Sequence, residues 1–553
     1  MSDTRTGGRA AARRGDGFAS SGGSGMEFGG RAAARKSRKR GRHRGLKIAA
    51  MVVGGVVLVS GSYLGYTAWT LDHNIKSDSL FNGTSGNAGT EKADAFGRTP
   101  INMLVIGSDG RDNKADCKLG GDCGPGANAD VEMVVHISAD RSNATVMSVP
   151  RDLVTTLPAC TDAKTGAHTD AHTGMINSTL AYGPGCTVAA VHDLTGIPID
   201  HFAMIDFSGV VNMSDAVGGV SVCVDNNVYD PYSHLKLAKG THELQGTAAL
   251  EFVRTRHGFG NGGDLGRADA QHIFLTQTIN AMKSSKTFTN PSRMLNLATA
   301  ATKALTVDDG LKSISSLLGL ASDLNKVPTN RMTFTTMQTG ADPSDVNRLV
   351  IGPGAQTLFN TISNDQSLTT ASGGKSAAAS ATATAAPSTP STPPGEIAVQ
   401  VENGSTTSGR ATALHDQLVK LGYSSDSTIG NAPSSSVQTS TVEYGTGRKA
   451  DAQQVAASLG LAASAVKPAS SGSKVTLVIG ADWPSGVVFP GGTAKAPAAN
   501  TKVALANASA KTGNQVNSCA HVSTQATVSL PGYGGMNPTR AYALSPKVKN
   551  SAP

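Results

Sequence analysis

The chain has 553 residues, of which 39% are hydrophobic, 16% charged and only 4% aromatic. At about 150 residues per domain, this length allows three or four domains; the apolar fraction excludes disorder throughout, and aperiodic glycine and proline exclude collagen. The net charge of +8 divides unevenly: residues 1–47 carry 13 Lys/Arg against three acids, so the remainder holds 35 bases and 37 acids and gives no reason to expect a nucleic-acid partner.

In chain order, 1–47 reads as a basic, disordered cytoplasmic tail. Ile48 to Tyr66 then runs 19 residues without a charge, about 28 Å as a helix and enough for a bilayer core. Tyr66 and Trp69 fall where aromatic rings favour the interface, and the basic cluster from Arg35 to Lys47 holds the N-terminus in the cytoplasm. The run is longer than the apolar region of a cleaved signal peptide. Residues 48–69 are therefore expected to form an uncleaved signal anchor, a single pass through the cell membrane that leaves the bulk of the chain extracellular. A polar spacer follows at 70–98.

INMLVIG from Ile101 has the pattern of a buried strand, and VEMVVHIS (131–138) and NATVMSV (143–149) form a strand pair across the turn DRSN. Helical patterns then alternate with strands through MINSTLAY, TVAAVHDLTG, HFAMIDF and GVSVCV. LQGTAALEF precedes VRTRH, and a long helix is predicted over 265–283. The alternation predicts a layered α/β domain over 99–366. An Ala/Ser/Thr/Pro linker occupies 367–395. Strand, helix, strand, helix and strand over 396–485 predict a small second α/β domain, and 486–553 reads as a low-complexity tail, mostly disordered.

All six cysteines lie beyond the apolar segment, where disulfides persist. Spacing favours Cys117 with Cys123 and Cys160 with Cys186, among 15 possible connectivities, and leaves Cys223 and Cys519 open.

Four clusters could carry chemistry. Asp109 and Arg111 lie in GSDGRDN, directly after a predicted strand; Asp130 opens the next strand; Arg151 and Asp152 end the following one. Loops at strand ends are where α/β folds build sites, although turns and caps use the same residue types. In FVRTRH, a strand over 252–257 would point Arg254 and Arg256 to one face. Two guanidiniums there would repel unless a phosphate or diphosphate sat between them. Asp264 is a candidate N-cap for the helix that follows, with Arg267 and Gln271 on one face at i,i+4. His168 and His172 lack further ligands for zinc, no GK[ST] completes a P-loop, and no G-x-S-x-G supports a hydrolase elbow.

Taken together and in order, DVEMVVHISADRSNATVMSVPRDL, MINSTLAYG, FSGVVNMSDAVGGVSV and LQGTAALEFVRTRHGFGNGGDLGRADAQ resemble the LytR-CpsA-Psr (LCP) family over roughly residues 100–285. VENGSTTSGRATALHDQLVKLGY and VTLVIGADW resemble the LytR C-terminal domain. The resemblance implies a three-layer α/β fold, a mainly β central sheet flanked by helices, after one transmembrane helix and before the small C-terminal α/β domain. It implies a membrane-anchored phosphotransferase that moves a glycopolymer from a polyisoprenyl-diphosphate carrier to the muramic acid C6 hydroxyl of peptidoglycan, with pyrophosphatase as a possible side activity. By the same resemblance Asp109 and Asp130 hold Mg²⁺, while Arg111, Arg151, Arg254, Arg256, Arg267 and Gln271 grip the diphosphate. Arg151, Arg254, Arg256 and Asp109 are the catalytic candidates, Asp109 also as the base. Phe202, Met204, Phe207, Val210 and Val211 are candidates to line a slot for the lipid. Asn128 and Ala270 stand where the family often has basic residues. The competing reading is a non-catalytic binder of lipid-linked or wall glycans, or an envelope regulator.

Overall fold

The computed structural model describes most of residues 51–553; residues 1–50, 284–289, 370–391, 470–473, 495–503 and some shorter stretches lie outside the described residues. The basic tail, part of the expected anchor and most of the linker fall there. Among the described residues no helix is long and apolar enough to cross a membrane.

The first strands are β1 (Lys76–Asp78), β2 (Ile101–Ser108), β3 (Ala129–Ile137), β4 (Ala144–Val149) and β5 (His201–Ile205). Further along lie β6 (Val220–Val224), β7 (Gly240–Leu244), β8 (Leu305–Asp308), β9 (Met332–Thr336) and β10 (Lys511–Thr512). Eight of them form one mixed sheet in the order β1-β8-β5-β2-β3-β4-β9-β10, while β6 and β7 pair as a separate hairpin. The helices that matter for the site are α1 (Pro184–Thr195), α2 (Phe207–Val217), α3 (Thr247–Arg254), α4 (Asp264–Lys283) and α5 (Pro291–Ala304).

Side-chain alternation on β2 sends Leu104 and Ile106 to one face of the sheet, where they join Val188 and Val191 of α1 in an apolar layer. The opposite face carries Met103, Val105, Met133, Val135 and Val146, packed with Phe252 of α3 and Ile273 of α4. The sheet is therefore the middle of three layers. Its central strands β2, β3 and β4 are antiparallel, with β5 and β9 added parallel at either side.

A separate five-stranded sheet, in the order Thr428–Asn431, Val399–Asn403, Val475–Ile479, Thr441–Tyr444 and Val466–Pro468, carries the helices Arg410–Lys420 and Lys449–Ser458. Val401, Leu414, Leu418, Val455, Leu477 and Trp483 form its core.

Two expectations are corrected. Residues 252–257 are not a strand: α3 runs to Arg254 and is closed by Thr255 in an extended conformation. A short apolar-polar run fits either periodicity, and here the stripe Ala248, Ala249 and Phe252 is buried at helical spacing. The tail from 486 is not simply a polar extension. β10 pairs antiparallel with β9, Cys519 is bonded to Cys223, and Val516, Ala520, Val522 and Ala552 are buried in the core beside α3 and α4. Small apolar residues too sparse to build a core of their own complete one that already exists.

Candidate active site

The site lies where β2 and β4 end and β3 begins, beside the starts of α2 and α4. The register between β2 and β3 shifts between Gly107 and Ser108, leaving Asp130 without a partner on β2. Such bulges re-aim a side chain at a strand end. Asp130 is thereby the hub of three arginines: it ion-pairs with Arg151, lies 3.8 Å from Arg256 Nη2 and 4.0 Å from Arg267 Nη1, and its carbonyl accepts from Arg267 Nη2 at 3.0 Å. Asp109 sits one strand away. Its carboxylate accepts the Asn128 amide N–H at 2.6 Å and the Asn128 Nδ2–H at 3.4 Å. Asn128 thus holds Asp109 in place.

Arg111 and Arg254 are placed differently. Both guanidiniums lie over the ring of Phe207, the first residue of α2, at 5.4 and 4.5 Å from its centroid. Arg254 also donates to the Leu119 carbonyl at 3.4 Å, a contact supplied by the segment that Cys117–Cys123 closes. Burial, and next the Arg111 charge, push the Arg254 pKa down, against the pull of Asp130, Asp109 and Glu251. Among the described residues no carboxylate comes within ion-pair distance of either guanidinium. Two cations around one aromatic ring, half-buried and without a direct counter-ion, form a candidate anion site.

The helix α4 braces the other side. Asp264 opens it and pairs with Arg267 at 2.5 Å and with Arg151 Nε at 3.9 Å. Burial nonetheless holds the Asp264 carboxyl above its ordinary range, outweighing Arg267, with the charges of Asp152 and Asp130 acting in the same direction. Gln271 is buried and donates from Nε2 to the Val253 carbonyl at 3.2 Å, tying α4 to the end of α3. Ala270 is 1% exposed and packs in the core.

The structure thus gathers Asp109, Arg111, Asp130, Arg151, Arg254, Arg256, Arg267 and Gln271 around one strand end. Arg254 and Arg256 arrive by a helix terminus and the loop after it rather than by strand alternation. Arg267 and Gln271 are turned inward and are occupied with Asp264, Asp130 and backbone.

The lipid-slot candidates separate. Met204 borders a cavity of about 590 Å³ that opens beside Ser108 and Gly110 and is lined by Leu180, Pro184 and Ala304 and by the charged Lys76, Asp116, Lys164 and Asp206. Phe202 is fully buried in the layer with α1, Phe207 is the platform under the arginines, and Val210 and Val211 do not border this cavity. The run HFAMIDFSGVV is divided between two elements, His201–Ile205 in β5 and Phe207 onward in α2, and its apolar side chains go to different surroundings.

Sequence reasoning missed Glu132. It is 1% exposed and borders the same small cavity as Asp130, Arg151, Asp264 and Gln271, and neither carboxylate oxygen has a hydrogen-bond partner in the protein. Burial, and next the Asp264 charge, raise its pKa well above the ordinary carboxylate range. The available signal was an acid inside the otherwise apolar strand VEMVVHI.

Asp109 and Asp130, the residues expected to hold Mg²⁺, lie at neighbouring strand ends, with Asp130 facing Arg151, Arg256 and Arg267. Mg²⁺ takes one or two carboxylates and fills its shell with water and phosphate oxygens.

A mixed α/β domain with a cation-lined anion site is the class these observations define. The chain belongs to the LytR_cpsA_psr family, whose sequence profile matches residues 71–366; that of the LytR cell envelope-related transcriptional attenuator matches residues 396–483. The chain is 33% identical to the cell wall biosynthesis protein LcpA of Corynebacterium glutamicum over 332 residues, 55% of this chain and 62% of that protein. It is 26% identical to the polyisoprenyl-teichoic acid–peptidoglycan teichoic acid transferase TagT of Bacillus subtilis, over 45% of this chain and 74% of that one. A solved LytR-Csp2A-Psr enzyme from Actinomyces oris is 23% identical, covering 52% of this chain and 95% of its own, with a TM-score of 0.39. The matched region spans less than two thirds of LcpA's length.

Proposed function

We propose that this chain is a phosphotransferase that moves a glycopolymer from a polyisoprenyl-diphosphate carrier onto peptidoglycan, anchored to the outer face of the cell membrane by residues 48–69. The observation that carries the reading is the pair Arg111 and Arg254 on Phe207 beside the cluster around Asp130. A diphosphate supplies the missing counter-charge. The relatives named above as cell wall biosynthesis and teichoic acid transferase proteins support the substrate class.

Phosphoryl transfer needs alignment and charge neutralisation more than covalent help from the protein. Arg111 and Arg254 would bind the diphosphate oxygens, and Arg256, only loosely paired to Asp130, would reach the same group. Attack by the muramic acid C6 hydroxyl on the sugar-linked phosphorus forms the phosphodiester, breaks the bridging P–O bond and releases polyisoprenyl phosphate. Asp109, partly exposed and fixed by Asn128, is the candidate to accept the hydroxyl proton. Bound between Asp109 and Asp130, Mg²⁺ would neutralise charge on the diphosphate. The cavity beside Ser108 and Met204 is the candidate slot for the first isoprene units.

The test mixes a soluble chain starting at residue 72 with Mg²⁺, a short polyprenyl-diphosphate saccharide and peptidoglycan oligomers, and seeks the joined product by mass spectrometry. Arg254→Ala is expected to lower transfer at least about a hundredfold, the scale for losing one donor to developing charge. Lipid binding without product from any acceptor would replace this reading with that of a glycan-binding protein.

A further inference from the structure

Residues 519–527 lie beyond both family profiles, yet they are stitched to the loop that carries Arg256. Cys519 is bonded to Cys223 near the end of β6, 296 residues earlier. The Ala520 N–H donates to the Cys223 carbonyl at 2.7 Å, and the Asp225 N–H donates to the Ala520 carbonyl at 3.1 Å. Asp225 receives the Val522 N–H at 2.9 Å and pairs with His521 at 2.5 Å. On its other edge the segment meets residues 255–263. The Gly260 N–H donates to the His521 carbonyl at 2.9 Å, the Ser523 N–H to the Gly258 carbonyl at 3.0 Å, and Thr527 Oγ1 to the His257 carbonyl at 2.7 Å. Val522 and Ser523 are buried, whereas His521 and Gly260 are exposed.

We propose that residues 519–527 form a clamp that positions Arg256 and the Asp264 end of α4 for diphosphate binding, fastened to β6 by Cys223–Cys519. The proposal rests on the diphosphate reading above. The loop 255–263 connects Arg254 on α3 to Asp264 and Arg267 on α4, and four of its residues are glycine. A glycine-rich loop retains much backbone freedom unless it is tied down. Its ties to its own neighbourhood are short: Gly258 N–H to Thr255 Oγ1, Gly262 N–H to the Phe259 carbonyl, and a 3.4 Å bond from His257 N–H to Asp230. The tail adds three more, all between His257 and Gly260, immediately after Arg256. Lys511, earlier in the same tail, pairs with Asp269 of α4 at 3.0 Å, so the helix is held from a second side.

The test uses the full-length protein and the variants Cys519→Ser, Thr527→Ala and Thr527→Ser. Three quantities are read: amide hydrogen exchange at Gly260, calorimetric affinity for geranylgeranyl diphosphate with Mg²⁺, and Tm. Cys519→Ser and Thr527→Ala are expected to speed Gly260 exchange and weaken binding about tenfold, and Thr527→Ser, which keeps the bond to His257, to restore both. A lowered Tm with affinity unchanged in both variants overturns the clamp and leaves a structural tether only. Wild-type protein that binds no diphosphate overturns the clamp together with the proposed function, whereas a clamp failure alone leaves wild-type binding intact.

Discussion

Phe207 is the residue on which the site's electrostatics turn. Stacking one guanidinium on an aromatic face contributes about 0.5–2 kcal/mol, and Phe207 carries two. Phe207→Leu keeps an apolar side chain but removes the ring, so polyprenyl-diphosphate affinity measured by calorimetry should fall about tenfold, corresponding to about 1.4 kcal/mol. Arg254→Lys keeps the charge and loses the planar fork and the stacking; its transfer rate should stay at least about tenfold below wild type. A second residue-scale effect sits behind the site. His272 on α4 is buried and shares a 2.7 Å hydrogen bond with Ser148 of β4. Burial holds its imidazole down to about 4. Between pH 6.5 and about 4 the unfolded chain therefore takes up a proton that the folded chain refuses, so stability falls as pH falls through that window, by about 3 kcal/mol in full. Denaturant unfolding at pH 7 and pH 4.5 should show a smaller drop for His272→Gln than for wild type.

At the scale of elements, the start of α4 depends on backbone approaching backbone. A Cβ on Gly266 would lie 2.3 Å from the Phe259 carbonyl oxygen, and Gly260 adopts a φ of 58° against it. Gly266→Ala cannot be absorbed by a flexible side chain, because the clash is with main chain. It should destabilise the protein by about 1–3 kcal/mol and, by displacing Arg267 and Asp264, weaken diphosphate binding. A Tm equal to wild type in thermal unfolding would show that this turn yields more easily than its packing suggests. Cys117–Cys123 acts on the same scale, since the segment it closes brings the Leu119 carbonyl to Arg254.

At the scale of the whole molecule, the chain leaves the main sheet after β9, builds the five-stranded sheet, and returns to pair β10 with β9. The bond Cys223–Cys519 makes this return covalent. If a specific protease site is placed at residue 380 and cut, the two fragments should migrate together on a non-reducing denaturing gel and separate on a reducing one. Separation without reductant would mean that the bond does not form in the folded protein.

The local part of this architecture was legible because periodicity is set by the face an element buries. The short apolar runs INMLVIG, VEMVVHIS and NATVMSV, closed by turn residues, marked β2, β3 and β4, and the helical pattern over 265–283 marked α4. The resemblance to the LytR-CpsA-Psr family, rather than residue chemistry alone, joined Asp109, Asp130 and the arginines into one set, and spacing favoured Cys117–Cys123 and Cys160–Cys186. What the sequence could not carry is which distant surfaces meet. FVRTRH fits two periodicities until Phe252 finds its partners, Phe207 is one apolar residue among several until two guanidiniums arrive over its ring, and Glu132 is an acid in a strand until its neighbours exclude water. The tail is polar and sparse in large side chains, so nothing local marks it as ordered. The face left open beside β6, α3 and α4 decides where Val516, Ala520 and Val522 are buried. Burial of an element's own face is a short-range property written in its composition, whereas complementarity between faces hundreds of residues apart arises only when the chain is folded.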